Sequence, residues 1–176
     1  MELKELRKAL AAEAKAAGIC SEWYNYILSA QSKERLVALY FKGFDFVEAN
    51  DFPSEPLRRE FDDIRRHYNV YENEPFSVTN TKRLVAYTGA TGKAAFNSYA
   101  VGQIWARKGS DVHVEASEHS YVNVYVVEGA TAHIKATGKS RVTVFLHGGK
   151  VTQEATEDAV ITIKEKKHGI RTEFNT

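Results

Sequence analysis

Cysteine is almost absent from this chain. Cys20 is the one thiol among 176 residues, so an internal disulfide is excluded. An excess of charge is lacking too. Lys and Arg number 24 against 23 for Asp and Glu, and a formal net charge of +1 supplies no global field to hold a polyanion or a membrane surface. No apolar run approaches the roughly 20 residues of a bilayer span. The opening segment MELKELRKALAAEAKAAG is too charged and too regularly spaced to read as a secretory signal. These absences predict a cytoplasmic protein in a reducing setting, with neither a membrane nor a nucleic acid as partner. Catalytic signatures are missing as well: no Ser/His/Asp order, no paired carboxylates in a plausible cleft and no metal-ligand spacing stands out. What is present is an ordinary 43% apolar share, which excludes disordered, collagen-like and low-complexity classes.

The chain changes period near residue 75, and two domains are expected, a helical bundle over 1–74 and a β-domain over 75–176. Leu3, Leu6, Leu10, Ala14 and Ala17 recur at three- and four-residue spacing, with Gly18 placed for a left-handed C-terminal cap. Ser21 is the expected cap of a second helix carrying Trp23, Tyr26, Ile27 and Ala30 on one side. Ser32 is the expected cap of a third, with Leu36, Leu39 and Tyr40, closed by Gly43. An acidic, aromatic connector from Asp45-Phe46 to Asp51-Phe52 then leads to Ser54-Glu55-Pro56. That run starts a fourth helix with Leu57, Phe61, Ile64 and Tyr68 inward, and Asp62-Asp63 and Arg65-Arg66 on its solvated face. Residues 1–80 hold 11 basic and 14 acidic side chains and residues 81–176 hold 13 and 9, a mild asymmetry of −3 against +4 that suits two halves packing together or subunits meeting head to tail.

From about residue 82 a repeat of ten takes over. One column reads Leu84, Ala94, Ile104, Val114, Val124, Ile134, Val144; a second, two residues on, reads Ala86, Phe96, Ala106, Ala116, Val126, Ala136, Leu146; and Val112, Val122, Ala132 and Val142 form a third. Alternation within each unit means a strand with one buried face. A finer period of twenty appears in Gly89, Gly109, Gly129 and Gly149, with Tyr99, His119 and Lys139 between them. The outward fifth position alternates likewise: Val85, Trp105, Tyr125 and Phe145 on one set of strands, Ala95, Glu115 and Lys135 on the other. A two-sheet β-solenoid of about twenty residues per coil explains this. It makes the whole chain an α+β protein. An antiparallel meander or sandwich stays open as the alternative. Register is lost over Lys150 to Glu157 and resumes at Ala159, Ile161, Ile163 before the charged run Lys164-Glu165-Lys166-Lys167, so an irregular cap is expected there.

The combination of Gly18-Ile19-Cys20 with Trp23, Leu39-Tyr40 leading to Gly43-Phe44-Asp45-Phe46, Asn50-Asp51-Phe52-Pro53, and repeats such as Ser110-Asp111-Val112-His113-Val114-Glu115-Ala116 resembles a group of uncharacterised proteins from phages and prophages of gut bacteria. The likeness spans nearly the whole chain. It implies a helical region followed by a short-repeat β-solenoid, and transfers no activity or site. Such repeats are often built on Gly-Asn-Ala or Gly-Ser-Ala, whereas here only Gly89-Ala90, Gly109-Ser110 and Gly129-Ala130 keep part of that pattern.

The aromatic column makes one solenoid face unusually apolar, and such a face must meet something. Trp105, Tyr125, Phe145 and the nearby Tyr121 are the candidate binding residues, with Val101 and Val127 beside them. The chain's own helices, a second subunit, or a sugar or base stacked on the rings are the covers to weigh. Arg83 is the one base among the interleaved residues Arg83, Gln103, Asn123 and Thr143, which argues against a nucleic-acid platform. His113 and His133 fall twenty apart on the opposite face beside Glu115 and Lys135, but the preceding member of their column is Lys93, so a solvated polar ladder is expected and no metal. His147-Gly148-Gly149-Lys150 and Thr88-Gly89-Ala90-Thr91-Gly92-Lys93 lack phosphate-loop spacing and a following helix, and read as solenoid turns. Cys20 reads as a small buried group. The expected function is that of a non-enzymatic binding or assembly protein, engaging a protein partner or its own copies, with no cofactor. The alternative is a small-ligand-binding module with a pocket between helices and solenoid.

Overall fold

The computed structural model describes residues 1–165. They form two compact units, Met1–Tyr68 and the described residues from Asn69 onward. This division falls six residues before the boundary drawn at 74/75, because Val70–Tyr71 is already a strand.

In the first unit α1 spans Leu3–Ala16 and buries Leu6, Leu10, Ala11 and Ala14. It ends in a Schellman motif: Gly18 takes φ +88°, its N–H donates to the Lys15 carbonyl at 3.0 Å, and the Ile19 N–H donates to that of Ala14 at 3.0 Å. Helix α2, Ser21–Ser29, starts one residue earlier than expected, since Ser21 is its first helical residue and Cys20 stands at the N-cap without a side-chain bond. Ile27 and Ala30 are buried and Trp23 is half-buried. Tyr26 turns outward and donates to Glu22 Oε1 at 2.5 Å. Helix α3, Lys33–Lys42, is capped as its sequence indicates, the Arg35 N–H donating to Ser32 Oγ at 3.2 Å, and it buries Leu36, Val37 and Leu39.

Two expectations need correction here. The connector over 45–52 is instead largely a helix, α4, Phe44–Asn50, because Phe44 and Val47, three apart, both find buried positions. The fourth expected helix is only α5, Glu55–Arg59, followed by turns and a 3-10 turn at Arg65–Tyr68. Asp62, Asp63, Arg65 and Arg66 therefore share no helical face. Arg65 is buried with Nε 2.6 Å from Asp62 Oδ1, and Asp63 accepts from Lys33 Nζ at 2.9 and 3.0 Å.

The second unit is a parallel β-solenoid. Strands β1 Val70–Tyr71, β3 Arg83–Ala86, β5 Val101–Ala106, β7 Tyr121–Val127, β9 Arg141–His147 and β11 Val160–Glu165 form one sheet in that order. Strands β2 Pro75–Thr79, β4 Thr91–Phe96, β6 Asp111–Ala116, β8 Thr131–Ala136 and β10 Lys150–Ala155 form the other. Each pairing is parallel, which excludes the antiparallel meander and sandwich. Arg83 pairs with Gln103, Thr91 with Asp111 and Tyr121 with Arg141, so a coil is two strands and two turns in twenty residues. The predicted inward columns form one core, Leu84 through Val144 and Ala86 through Ala136, with Leu146 packed at its margin.

The turns explain most of the glycine period. At Lys108-Gly109 (φ 49° and 72°) and Glu128-Gly129 (54° and 77°) two successive residues are left-handed and glycine takes the second without steric cost, whereas Gly89 is left-handed alone (70°) and between β9 and β10 the left-handed glycine is Gly148 (77°) rather than Gly149. Turns leaving the five-stranded sheet need one left-handed residue, supplied by Ser98, Glu118, Gly138 or Glu157.

Both ends depart from twenty. Val70 pairs with Val85 and Pro75 with Thr91, so the first coil is fifteen to sixteen residues long and escapes the decimal pattern. The irregular cap expected over 150–157 is corrected: β10 is a regular strand with Lys150 opposite Thr131, and β11 follows with Val160 opposite Arg141, each nineteen residues on. Gly148 and Gly149 alone join β9 to β10, where Glu128, Gly129 and Ala130 join β7 to β8, and that one missing residue is the whole loss of register. Opposite Ile134 this coil places Gln153, exposed and polar, at an inward position. Lys164 and Glu165 end β11; Lys166 and Lys167 lie outside the described residues.

Candidate functional site

A parallel, in-register sheet stacks equivalent side chains about 4.8 Å apart, and the solenoid builds two ladders this way. On the six-stranded sheet Val85, Trp105, Tyr125 and Phe145 are direct register partners. The Trp105 and Tyr125 rings stack at 5.5 Å and 13°, those of Tyr125 and Phe145 at 4.7 Å and 11°, and Lys164 Nζ lies 5.5 Å from the Phe145 ring centre. Exposure grades along the column: Trp105 is 7% exposed, while Tyr125 and Phe145 are half-buried. Three of the four predicted binding residues thus come together as one ring stack.

Tyr121 does not join them. It pairs with Val101 at the start of the strands, where both side chains stand exposed, at 41% and 63%. Beside this pair the turn residues Tyr99 and His119 stack at 4.9 Å and 5°, a smaller aromatic ladder that was legible only as turn variation at twenty-residue spacing.

The five-stranded sheet carries the polar ladder Lys93, His113, His133, Thr152. The two imidazoles stack at 4.5 Å and 21°. Lys93 reaches Glu115 Oε2 at 2.6 Å. The residue that column reading missed is Asp111, two positions before His113 and so on the same face of β6. Its Oδ1 lies 3.3 Å from His133 Nε2 and 3.8 Å from His113 Nε2, and one ligand atom from each of the three falls within 4.8 Å of the others. His133 Nδ1 is 2.8 Å from Thr152 Oγ1. The signal for Asp111 in the sequence is strand alternation, since it lies two residues from His113 and outside the twenty-residue column. Two imidazole nitrogens and a carboxylate oxygen converging in this way can share a proton or hold a cation.

The remaining candidates offer less. Cys20, expected to be buried, is exposed at a helix start. Gly148-Gly149 is a tight turn, and Gly92 in the other glycine-rich string lies within β4 against Phe76, where a Cβ would fall 2.7 Å from its ring. In the helical unit a hydrogen bond from Lys33 holds the Asp63 carboxyl below its ordinary pKa, one involving Ser32 does the same for Glu34, and the bond to Glu22 raises the Tyr26 phenol. These are solvent-facing pairs of the kind that contribute little.

Among the described residues no helix is long and apolar enough to cross a membrane. Fold and surfaces together define a parallel β-solenoid protein with an N-terminal helical unit. Comparison of the chain with protein-family models, curated proteins and solved structures returns no match.

Proposed function

We propose that this chain is a non-enzymatic binding or assembly protein of the cytoplasm whose working surface is the outer face of the six-stranded sheet, and that what it engages is another protein, a second copy of itself included. The observation that carries the reading is the stacked column Trp105, Tyr125, Phe145 with the exposed Val101 and Tyr121 on the same face. Aromatic side chains dominate protein-protein contacts because each buries much area at low entropic cost. A parallel sheet fixes their spacing in advance, so little ordering is left to be done on binding. Trp105 is 7% exposed, so the area left to cover comes from the half-buried Tyr125 and Phe145 with the exposed Tyr121 and Val101, at about 25 cal/mol per Å² before entropy is charged. The resemblance to phage and prophage proteins makes a host-directed inhibitor or a virion-assembly accessory the specific form of this proposal.

The test places a photo-reactive phenylalanine analogue at position 145 in the expressing cell, together with sedimentation velocity over a range of concentrations. Discrete protein adducts or a reversible oligomer are expected, and Tyr125→Glu should abolish them while leaving circular dichroism unchanged. If neither adduct nor oligomer forms, or both persist in Tyr125→Glu, the surface is misassigned.

A further inference from the structure

We infer that Asp111, His113 and His133 form a binding site for a divalent cation of the zinc class on the outer face of the five-stranded sheet. The site lies on the sheet that does not carry the aromatic column, and it stands independently of the proposed protein-binding face.

The argument begins with placement. Strands β6 and β8 are interior strands of their sheet, so all three ligands rise from backbone held on both sides. Parallel register sets His133 directly beside His113, and alternation sets Asp111 on the same face. Distances follow. Four ligands around a zinc ion at about 2.0–2.1 Å are separated from one another by about 3.3 Å. The Asp111 Oδ1 to His133 Nε2 distance is 3.3 Å already, and the 3.8 Å to His113 Nε2 closes with a small ring rotation.

Polar satisfaction points the same way. Asp111 Oδ1 is shielded from solvent and accepts no hydrogen bond among the described residues, although the side chain as a whole is 45% exposed. An anionic oxygen in that state is costly, and a cation between it and the two imidazoles removes the cost. Thr152 Oγ1 at 2.8 Å from His133 Nδ1 is the outer partner that a metal-bound histidine ordinarily keeps, orienting the ring so that Nε2 faces the cluster. Lys93, next to His113 in the column, is engaged by Glu115 at 2.6 Å, which neutralises that cation.

Ligand chemistry selects the ion. Two imidazoles and one carboxylate suit zinc, nickel and copper, whereas magnesium and calcium ask for oxygen ligands throughout. With His113 at 59% exposure the remaining coordination positions are open to water, so the site is an exchangeable surface site rather than a closed structural one.

The test uses the full chain with Cys20→Ser, which removes the one thiol, stripped with chelator and titrated with zinc chloride by calorimetry near neutral pH. One zinc per chain is expected. Asp111→Asn and His133→Ala should each weaken binding about tenfold or more, and Thr152→Val about tenfold, judged by the effect of such outer partners elsewhere. Because all of these side chains face outward, the metal-free melting temperatures should match the parent. On the parent itself, zinc should shift the ring nitrogen resonances of His113 and His133 and leave those of His67, His119 and His147 in place, a readout that needs no variant. Magnesium chloride should produce neither effect. Absence of zinc binding up to millimolar concentration, affinity undiminished in the Asp111→Asn/His133→Ala double variant, or resonance shifts confined to other histidines overturns the assignment.

Discussion

The two units reach order by opposite routes. In the helical unit partners are near in sequence: Gly18 closes on Lys15 and Ile19 on Ala14, Ser32 caps Arg35, and Phe44 and Val47 share a single turn of helix. In the solenoid each inward residue rests on others about twenty away, Val114 between Ala94 and Ile134 and Val124 between Ile104 and Val144. The difference shows in what is buried. Both units bury charge, Arg58 and Arg65 in the helical one, with Arg58 donating to the Pro53 carbonyl at 2.7 Å, and Arg107 in the solenoid one, but only the solenoid builds its core from repeated apolar columns. It also shows in what is presented: only a parallel repeat lines up like side chains at one fixed spacing, so both candidate surfaces arise there.

The strongest way to break this comparison is Ile134→Asp. A carboxylate in the thin, dry solenoid core has no partner, and a loss of several kcal/mol is expected, a large fraction of ordinary domain stability. An unchanged melting temperature shows that position 134 faces water.

Next in size is Gly102→Ala. The added Cβ falls 2.3 Å from the Phe96 ring, and overpacking of this kind costs about 1–3 kcal/mol, read from the urea midpoint and partly recovered by adding Phe96→Leu. Its counterpart in the helical unit, Gly18→Ala, meets nothing within 4 Å and is strained only through φ +88°, so the same substitution should cost about 1 kcal/mol there and gain nothing from shrinking any neighbour. Equal costs with equal rescue in both units contradict the distinction.

The smallest effect belongs to Lys33 and Asp63. Because the Lys33 ammonium lowers the folded pKa of Asp63 below its ordinary 3.8, the pair stabilises above that value and its contribution is lost as pH falls through the lowered one. Asp63→Asn should therefore cost less than about 1 kcal/mol at neutral pH, with the gap to the parent closing in strong acid. A gap that widens in acid reverses the sign of the argument.

Composition and periodicity by themselves determined most of the architecture. The ten-residue alternation named the inward columns, and the twenty-residue glycines counted the coil, because Gly89, Gly109 and Gly129 occupy left-handed turn positions that glycine takes without steric cost. The ring stack of Trp105, Tyr125 and Phe145 was legible for the same reason, since parallel register converts equal spacing into contact.

What depended on three-dimensional packing was hidden. The short first coil and the one-residue loss at Gly148-Gly149 leave strand pairing intact while breaking any decimal count, since hydrogen-bond register constrains strands and not the length of the turn between them. Helix α4 formed where the sequence reads as connector because burial of Phe44 and Val47 outweighs weak local propensity. The meeting of Asp111 with His113 and His133 required register across strands and alternation along one of them at once. Sequence supplies each of those relations separately; only the folded sheet decides that they converge within 4.8 Å, because closeness of side-chain tips depends on rotamers and strand twist that no spacing encodes.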